Sequence, residues 1–174
     1  HLFSDYIGEA GITYYYRVRC FNPTNGLTSA WSTTASATSS EFECEGFLTE
    51  VQEAGFRYFY NYAYPGSHLP REGIKAKNSW HPKLMSVVST GMYFFNIAVG
   101  IERGFISRVE GASHVEILLN FLHDRVERFY GAYPHWIDGA SGKVRPFSST
   151  DNGADLVESG IVAEGLIFAR EYFS

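Results

Sequence analysis

Residues 47–62 read FLTEVQEAGFRYFYNY, and the spacing of the apolar positions in this stretch decides the fold class. Positions 47, 48, 51, 54, 55, 58, 59 and 62 recur at three- and four-residue intervals, the stripe of an amphipathic helix. Upstream the period is two. In residues 13–20 (TYYYRVRC), Tyr14, Tyr16 and Val18 alternate with Tyr15, Arg17 and Arg19, the pattern of a strand rich in aromatic side chains. The texture changes between these stretches, and after Glu41 the longer period holds.

Toward the N-terminus, residues 22–26 (NPTNG) form a turn cluster with Asn25-Gly26 at its tip. Residues 27–38 read as a second strand of small and hydroxylated side chains around Trp31, and the Thr, Ser and Ala run over 33–40 reads as a linker. Two strands cannot close a core, so residues 1–38 are expected to be the C-terminal part of a larger β-sandwich. The stretch GITYYYRVR (11–19), the Asn-Gly turn and SAWS (29–32) resemble the last two strands of a fibronectin type III domain. That resemblance implies a tyrosine corner filled by Tyr14 or Tyr16.

Toward the C-terminus, Pro65-Gly66 and Pro70 break the chain into a loop reaching about residue 83. A second helix is expected over 86–102, apolar nearly all round and so buried, ending at Arg103-Gly104. Ser107 and Glu110 form a capping box that opens a third helix over 108–126. Residues 129–147 read as an aromatic β-hairpin or ordered loop turning at 138–142, and a fourth helix is expected over 153–173. Four helices without a βαβ pattern make the fold mainly α. A buried helix beside amphipathic ones suggests the inner and outer layers of an (α/α) toroid, and four helices are too few to close one. Residues 39–174 are therefore expected to be the N-terminal half of an (α/α)6 domain. A four-helix bundle is the alternative, disfavoured by the long loops.

Composition narrows the function. The 174 residues carry a net charge of −5 with 45% hydrophobic and 19% charged side chains, so the chain is too apolar for disorder. No basic patch exists to meet nucleic acid. The apolar runs at 93–99 and 160–169 are too short for a membrane span. His1 is not an initiator Met, so a mature form or a fragment is expected. Cys20 and Cys44 make neither a CxxC pair nor a zinc pattern, and free thiols are expected, with a bridge between them as the alternative.

The chemistry concentrates in two stretches. In DNGADLVE (151–158), Asp151, Asp155 and Glu158 fall at i, i+4 and i+7, on one face at the start of the expected fourth helix. They read either as a carboxylate cluster for acid/base work or as a capping Asp151 beside two solvated acids. The stretch YGAYPHWIDG (130–139) places Tyr133, His135, Trp136 and Asp138 in one loop, with flat rings to stack on sugar CH faces and polar tips to read hydroxyls. A hairpin lid that packs its Trp against the helices is the structural alternative. A further loop, 68–81, carries His68, Arg71, Glu72, Lys75, Lys77, Trp80 and His81, and is expected to border the same cleft. His81, His114 and His135 lack metal-ligand spacing, so no metal is assigned.

Four motifs carry a second resemblance: EVQEAGFRYFY (50–60), VGIERGFI (99–106), GAYPHWIDG (131–139) and Asp151…Asp155-Leu-Val-Glu158. Their order and spacing resemble the glucoamylase-like family that includes the endo-β-1,2-glucanases of glycoside hydrolase family 144. The resemblance covers about residues 41–173. It implies an (α/α)6 toroid and an exported bacterial enzyme, secreted, periplasmic or held at the outer surface as a lipoprotein. It also implies inverting hydrolysis of a β-linked glucan, with β-1,2-glucan first, by a monomer without metal or cofactor.

On this resemblance Asp151, Asp155 and Glu158 line the central sugar subsite as catalytic carboxylates, and Pro134, His135 and Trp136 lie near the cleft. The family domain runs well past residue 174, so part of the acid/base pair is expected outside this chain. There are departures. Bulky Met92, Tyr93 and Phe94 stand in a segment the family keeps Gly-rich, and Ser159 stands where Thr commonly follows the last acid. A glycan-binding module without catalysis and a β-1,2-glucan transglycosylase are the alternatives.

Overall fold

The computed structural model describes residues 7–73 and 83–174, and the chain divides into two compact units, His1–Val51 and Gln52–Ser174. In the first unit, β1 (Thr13–Tyr16) pairs antiparallel with β2 (Ala35–Thr38), Thr13 facing Thr38 and Tyr16 facing Ala35. The pairing extends past Tyr16 as single contacts. Ser29 and Ser32 hydroxyls accept from the Cys20 and Val18 amides, and Phe21 bridges to Thr28. Arg17 and Arg19 lie over the Trp31 ring at 5.3 and 4.5 Å. The linker expected over 33–40 is thus corrected at its centre: Ala35–Thr38 is a strand, the end of the second strand read over 27–38, held by its ladder to β1 and by the Thr13–Thr38 hydroxyl contact at 2.8 Å. Cys20 and Cys44 are both free and exposed.

Helix α1 (Cys44–Asn61) begins in the first unit and continues into the second. The apolar stripe read from its sequence is displaced. Phe56 is its buried side chain, whereas Phe47, Leu48 and Val51 are exposed. Phe56 lies outside that stripe, yet it reaches the core because Gly100 leaves no Cβ in its way: a methyl there would sit 2.2 Å from the Phe56 ring.

The second unit orders β3 (Leu84–Ser86), α2 (Val87–Glu102), α3 (Arg108–Asp124), β4 (Trp136–Asp138) and α4 (Leu156–Phe173). As expected, α2 is the buried helix, with Val87, Thr90, Tyr93, Phe94, Ile97 and Ala98 inside. Ser86 caps its start by accepting from the Ser89 amide, and Gly104 (φ +72°) supplies the left-handed turn after its end. The Ser107–Glu110 capping box opens α3 as read. Helices α2 and α4 cross where both carry glycine. A Cβ on Gly91 would meet the Ile161 carbonyl oxygen at 2.5 Å, and one on Gly165 would meet the Gly91 oxygen at 2.3 Å. Phe94, Ile97, Val162 and Ala169 fill the core around that crossing.

Two local expectations are corrected. Strand β3 falls where the sequence shows only the end of a loop near 83 and a helix start at 86; it pairs antiparallel with β4, Leu84 to Asp138 and Ser86 to Trp136. Helix α4 starts at Leu156 and not at 153, because Asp155 takes the N-cap with extended backbone (φ −111°, ψ 111°). Lys75, Lys77, Trp80 and His81 lie outside the described residues.

Candidate active site

The site is assembled where three chain segments end close together. Ser86 closes β3 and opens α2, Asp155 opens α4, and the loop 133–135 leads into β4. The Asp155 amide donates to the Tyr133 carbonyl at 2.8 Å, and the Val87 amide donates to the His135 carbonyl at 3.2 Å. His135 is therefore fixed between the N-termini of α4 and α2. Those termini carry unpaired amides that favour negative charge.

Two carboxylates use these amides. Asp155 Oδ1 accepts from the Glu158 amide at 2.9 Å, and Glu158 Oε2 accepts from the Val88 amide at 2.9 Å. Each acid thus spends one oxygen on a helix N-terminus and turns the other toward His135. Nδ1 of His135 lies 3.3 Å from Asp155 Oδ2 and 3.0 Å from Glu158 Oε1. The two acids differ in environment. Glu158 is 7% exposed, and burial raises its pKa, aided by Asp155 and Glu72 against the pull of the Val88 amide and His135. In Asp155 the hydrogen bond from the Glu158 amide comes first and lowers the pKa, with His135 adding to it. One carboxyl is biased toward holding a proton and its neighbour toward charge.

Around the pair stands an aromatic wall. Trp136 and Phe147 stack at 4.6 Å and 28°, and the His135 ring meets both edge-on at 5.0 and 5.6 Å. Phe147 is 57% exposed, so this wall faces solvent beside the acids. Flat rings next to carboxylates suit a pyranose, which offers CH faces to the rings and hydroxyls to the acids.

The hairpin behind the wall is held by Asp138. Its Oδ1 accepts from the Ala140 and Ser141 amides and the Ser141 hydroxyl, and its Oδ2 pairs with Arg145 at 2.5 Å. Burial would raise Asp138, but Arg145 and the turn amides override it and hold the carboxyl down at about 2. Its hydrogen-bonding capacity is directed into the turn.

Of the residues singled out in the sequence, Asp155, Glu158 and His135 come together, with Trp136 beside them and Tyr133 contributing its backbone. Asp151 does not share a helix face with the other two, since the helix begins after Asp155. It is exposed on the preceding loop, its carbonyl accepting from the Phe147 amide at 2.8 Å. Sequence reasoning missed the Val88 amide and gave no role to Phe147, while Glu72, from the loop expected to border the cleft, acts on Glu158 through its charge. Phe147 lies far from Trp136 in the chain, and only the hairpin return brings the rings together. His135 Nδ1, Asp155 and Glu158 offer three ligand atoms within 4.8 Å of one another, a set whose chemistry also suits a cation.

No family model matches the chain. An exo β-1,2-glucooligosaccharide sophorohydrolase (non-reducing end) of Parabacteroides distasonis is 39% identical over 173 residues, covering 99% of this chain and 23% of the relative. The crystal structure of a β-1,2-glucanase from the same organism superposes with a TM-score of 0.82 at 38% identity, over 98% of this chain and 24% of that one. An endo-β-1,2-glucanase of Chitinophaga pinensis, solved with sophorotriose and glucose, gives 0.72 at 36% identity over 76% and 32%. Bacteroides proteins described as glucoamylases are also among the solved neighbours. The mainly α fold, read as a segment of an (α/α)6 toroid, agrees with these neighbours. The chain spans about a quarter of the length of the Parabacteroides relatives.

Proposed function

We propose that this chain, a homologue of the β-1,2-glucanases and glucoamylase-like proteins its motifs resemble, forms part of the active site of an exported glycoside hydrolase acting on β-1,2-glucan. The observation that carries the proposal is the pair of opposed carboxylates, Glu158 raised and Asp155 lowered, held about one histidine beside a solvent-facing aromatic wall. Homology at 36–39% to proteins named for β-1,2-glucan hydrolysis supports the substrate.

The roles follow from the environments. Trp136 and Phe147 offer the apolar platform on which a glucose ring settles, and the glucan is the partner. Asp155, charged and anchored on its helix N-terminus, stabilises positive charge as the ring becomes oxocarbenium-like. Glu158 is biased toward its protonated form and exchanges its proton through the contact with His135 Nδ1. Asp151, outside the cluster, contacts sugar hydroxyls, and Asp138 keeps the hairpin in shape behind them. The remaining acid/base carboxylate comes from the rest of the protein. Inverting chemistry needs the two catalytic carboxyls far enough apart for a water, which fits acids contributed from separate parts of a cleft. Residues 1–38, read as the end of a fibronectin type III-like sandwich, precede the catalytic domain. Secretion or periplasmic export and a monomeric state complete the proposal.

The test is a polysaccharide panel offered to the full-length protein, with reducing ends and products followed. Release of β-1,2-linked glucose oligomers is expected. Activity confined to α-glucans, or to none, would overturn it, and product lengthening on adding an acceptor would mark a transglycosylase instead.

A further inference from the structure

The seat of His135 depends on Ser159, the residue after Glu158 and one helical turn on from Asp155. Ser159 Oγ accepts from the Tyr133 amide at 2.8 Å, while the same hydroxyl donates to the Asp155 carbonyl at 2.6 Å. The Tyr133 carbonyl, at the other end of that residue, accepts from the Asp155 amide at 2.8 Å. Tyr133 is thus gripped at both of its backbone groups by the first turn of α4. Pro134 follows, with φ restricted by its ring and a bridge to Ala154 that keeps the segment against the helix start. His135 is the next residue, and its carbonyl is caught by the Val87 amide at 3.2 Å. Between Tyr133 and His135 there is little freedom left.

We propose that Ser159 is a positioning residue: by holding the Tyr133 amide it sets His135 Nδ1 between Asp155 and Glu158. The proposal rests on the enzymatic reading above for its consequence in turnover, and on geometry alone for its consequence at the histidine. A serine hydroxyl suits the place because it accepts and donates at once. An alanine would leave the half-buried Tyr133 amide without its acceptor, and the segment would keep only its ties to the Asp155 and Val87 amides and Ala154, with more play at His135. The two carboxylates would keep their helix N-terminal anchors, because neither Val88 nor the Glu158 amide involves Ser159. What changes is the histidine between them.

The experiment compares Ser159→Ala, Ser159→Thr and Ser159→Cys in the full-length protein. Ser159→Ala is expected to lower kcat roughly tenfold with KM within about twofold, the pattern of a misplaced group and not of lost substrate contact. Threonine, which keeps the hydroxyl, should restore kcat, and cysteine, a weak acceptor of similar size, should fall between. In a His135→Ala background the Ser159→Ala change should cost nothing further, since the residue acts through the histidine.

The 15N shift of His135 Nδ1 in selectively labelled protein gives a readout independent of turnover. It should move in the alanine variant and return in the threonine variant. Equal kcat and an unmoved Nδ1 shift across all three variants would overturn the proposal. So would a loss of kcat in Ser159→Ala that persists in full when His135 is already gone. Should the wild-type protein release sugar from no glucan, the enzymatic reading falls while the Nδ1 shift still decides the role of Ser159.

Discussion

Asp155 has two separable duties, and substitution can split them. Oδ1 caps α4, and Oδ2 faces His135. Asp155→Asn keeps a capping acceptor but removes the charge, so turnover of the full-length protein should fall roughly a hundredfold with the melting temperature held. Asp155→Ala removes both, and should add a stability loss of about 1 kcal/mol from the missing cap. A thermal melt beside a turnover measurement separates the two variants. Asp138 is expected to behave differently. Asp138→Asn removes the charge that pairs with Arg145, and the hairpin should lose about 1–3 kcal/mol of stability. Because Asp138 faces the turn, turnover per folded molecule should change by less than about threefold, within the ordinary effect of a substitution away from the chemistry. A hundredfold loss at unchanged stability would place Asp138 against the sugar instead.

Among the elements, the α2–α4 crossing carries the second unit. Gly91→Ala would drive a methyl onto backbone, which cannot rotate away as a side chain can. Overpacking of this kind costs typically about 1–3 kcal/mol, and a urea titration should report a lower midpoint with an unchanged slope. The elements also predict a pH response. His114 on α3 stacks on Tyr60 at 4.2 Å and meets the tilted His68 ring at 3.8 Å, and its Nδ1 lies 3.3 Å from the Tyr93 hydroxyl. Burial, then His68, lowers it from its ordinary value of 6.5 to about 4, against a smaller opposing pull from Glu110. The folded state thus prefers neutral His114 while the unfolded chain takes up a proton near 6.5. Stability from this source is present above pH 6.5 and is lost as pH falls toward 4. Asp138 acts in the same direction lower down, its contribution fading from about 3.8 toward 2. Melting temperatures measured from pH 7 to pH 4 should therefore fall, and His114→Gln should flatten that slope. An unchanged slope would remove His114 from the account.

Across the whole molecule, the parts legible in the sequence are those governed by local chemistry. The capping box at Ser107, the turn at Gly104 and the apolar girth of α2 are each written within a few adjacent residues. What escaped depends on distant partners. Strand β3 is three residues long, and its identity comes from β4, some fifty positions away. Phe56 reads as off the stripe until Gly100 is known to face it. The acidic triple was legible as composition but not as geometry, because the N-cap at Asp155 detaches Asp151 from the helix face. The histidine between two acids could not be read from spacing at all, since the Pro134 segment and α4 meet only in the fold.

The central claim is that the Asp155–His135–Glu158 cluster serves hydrolysis of β-1,2-glucan. The most direct test sets wild-type full-length protein beside Glu158→Gln on β-1,2-glucan, measuring initial rates of reducing-end release and melting temperatures together. Glutamine keeps an acceptor for the Val88 amide, so both proteins should melt alike. Release by the wild type, reduced roughly a hundredfold or more in Glu158→Gln, is the predicted result. Equal rates in the two proteins, or no release by a folded wild type, would contradict it.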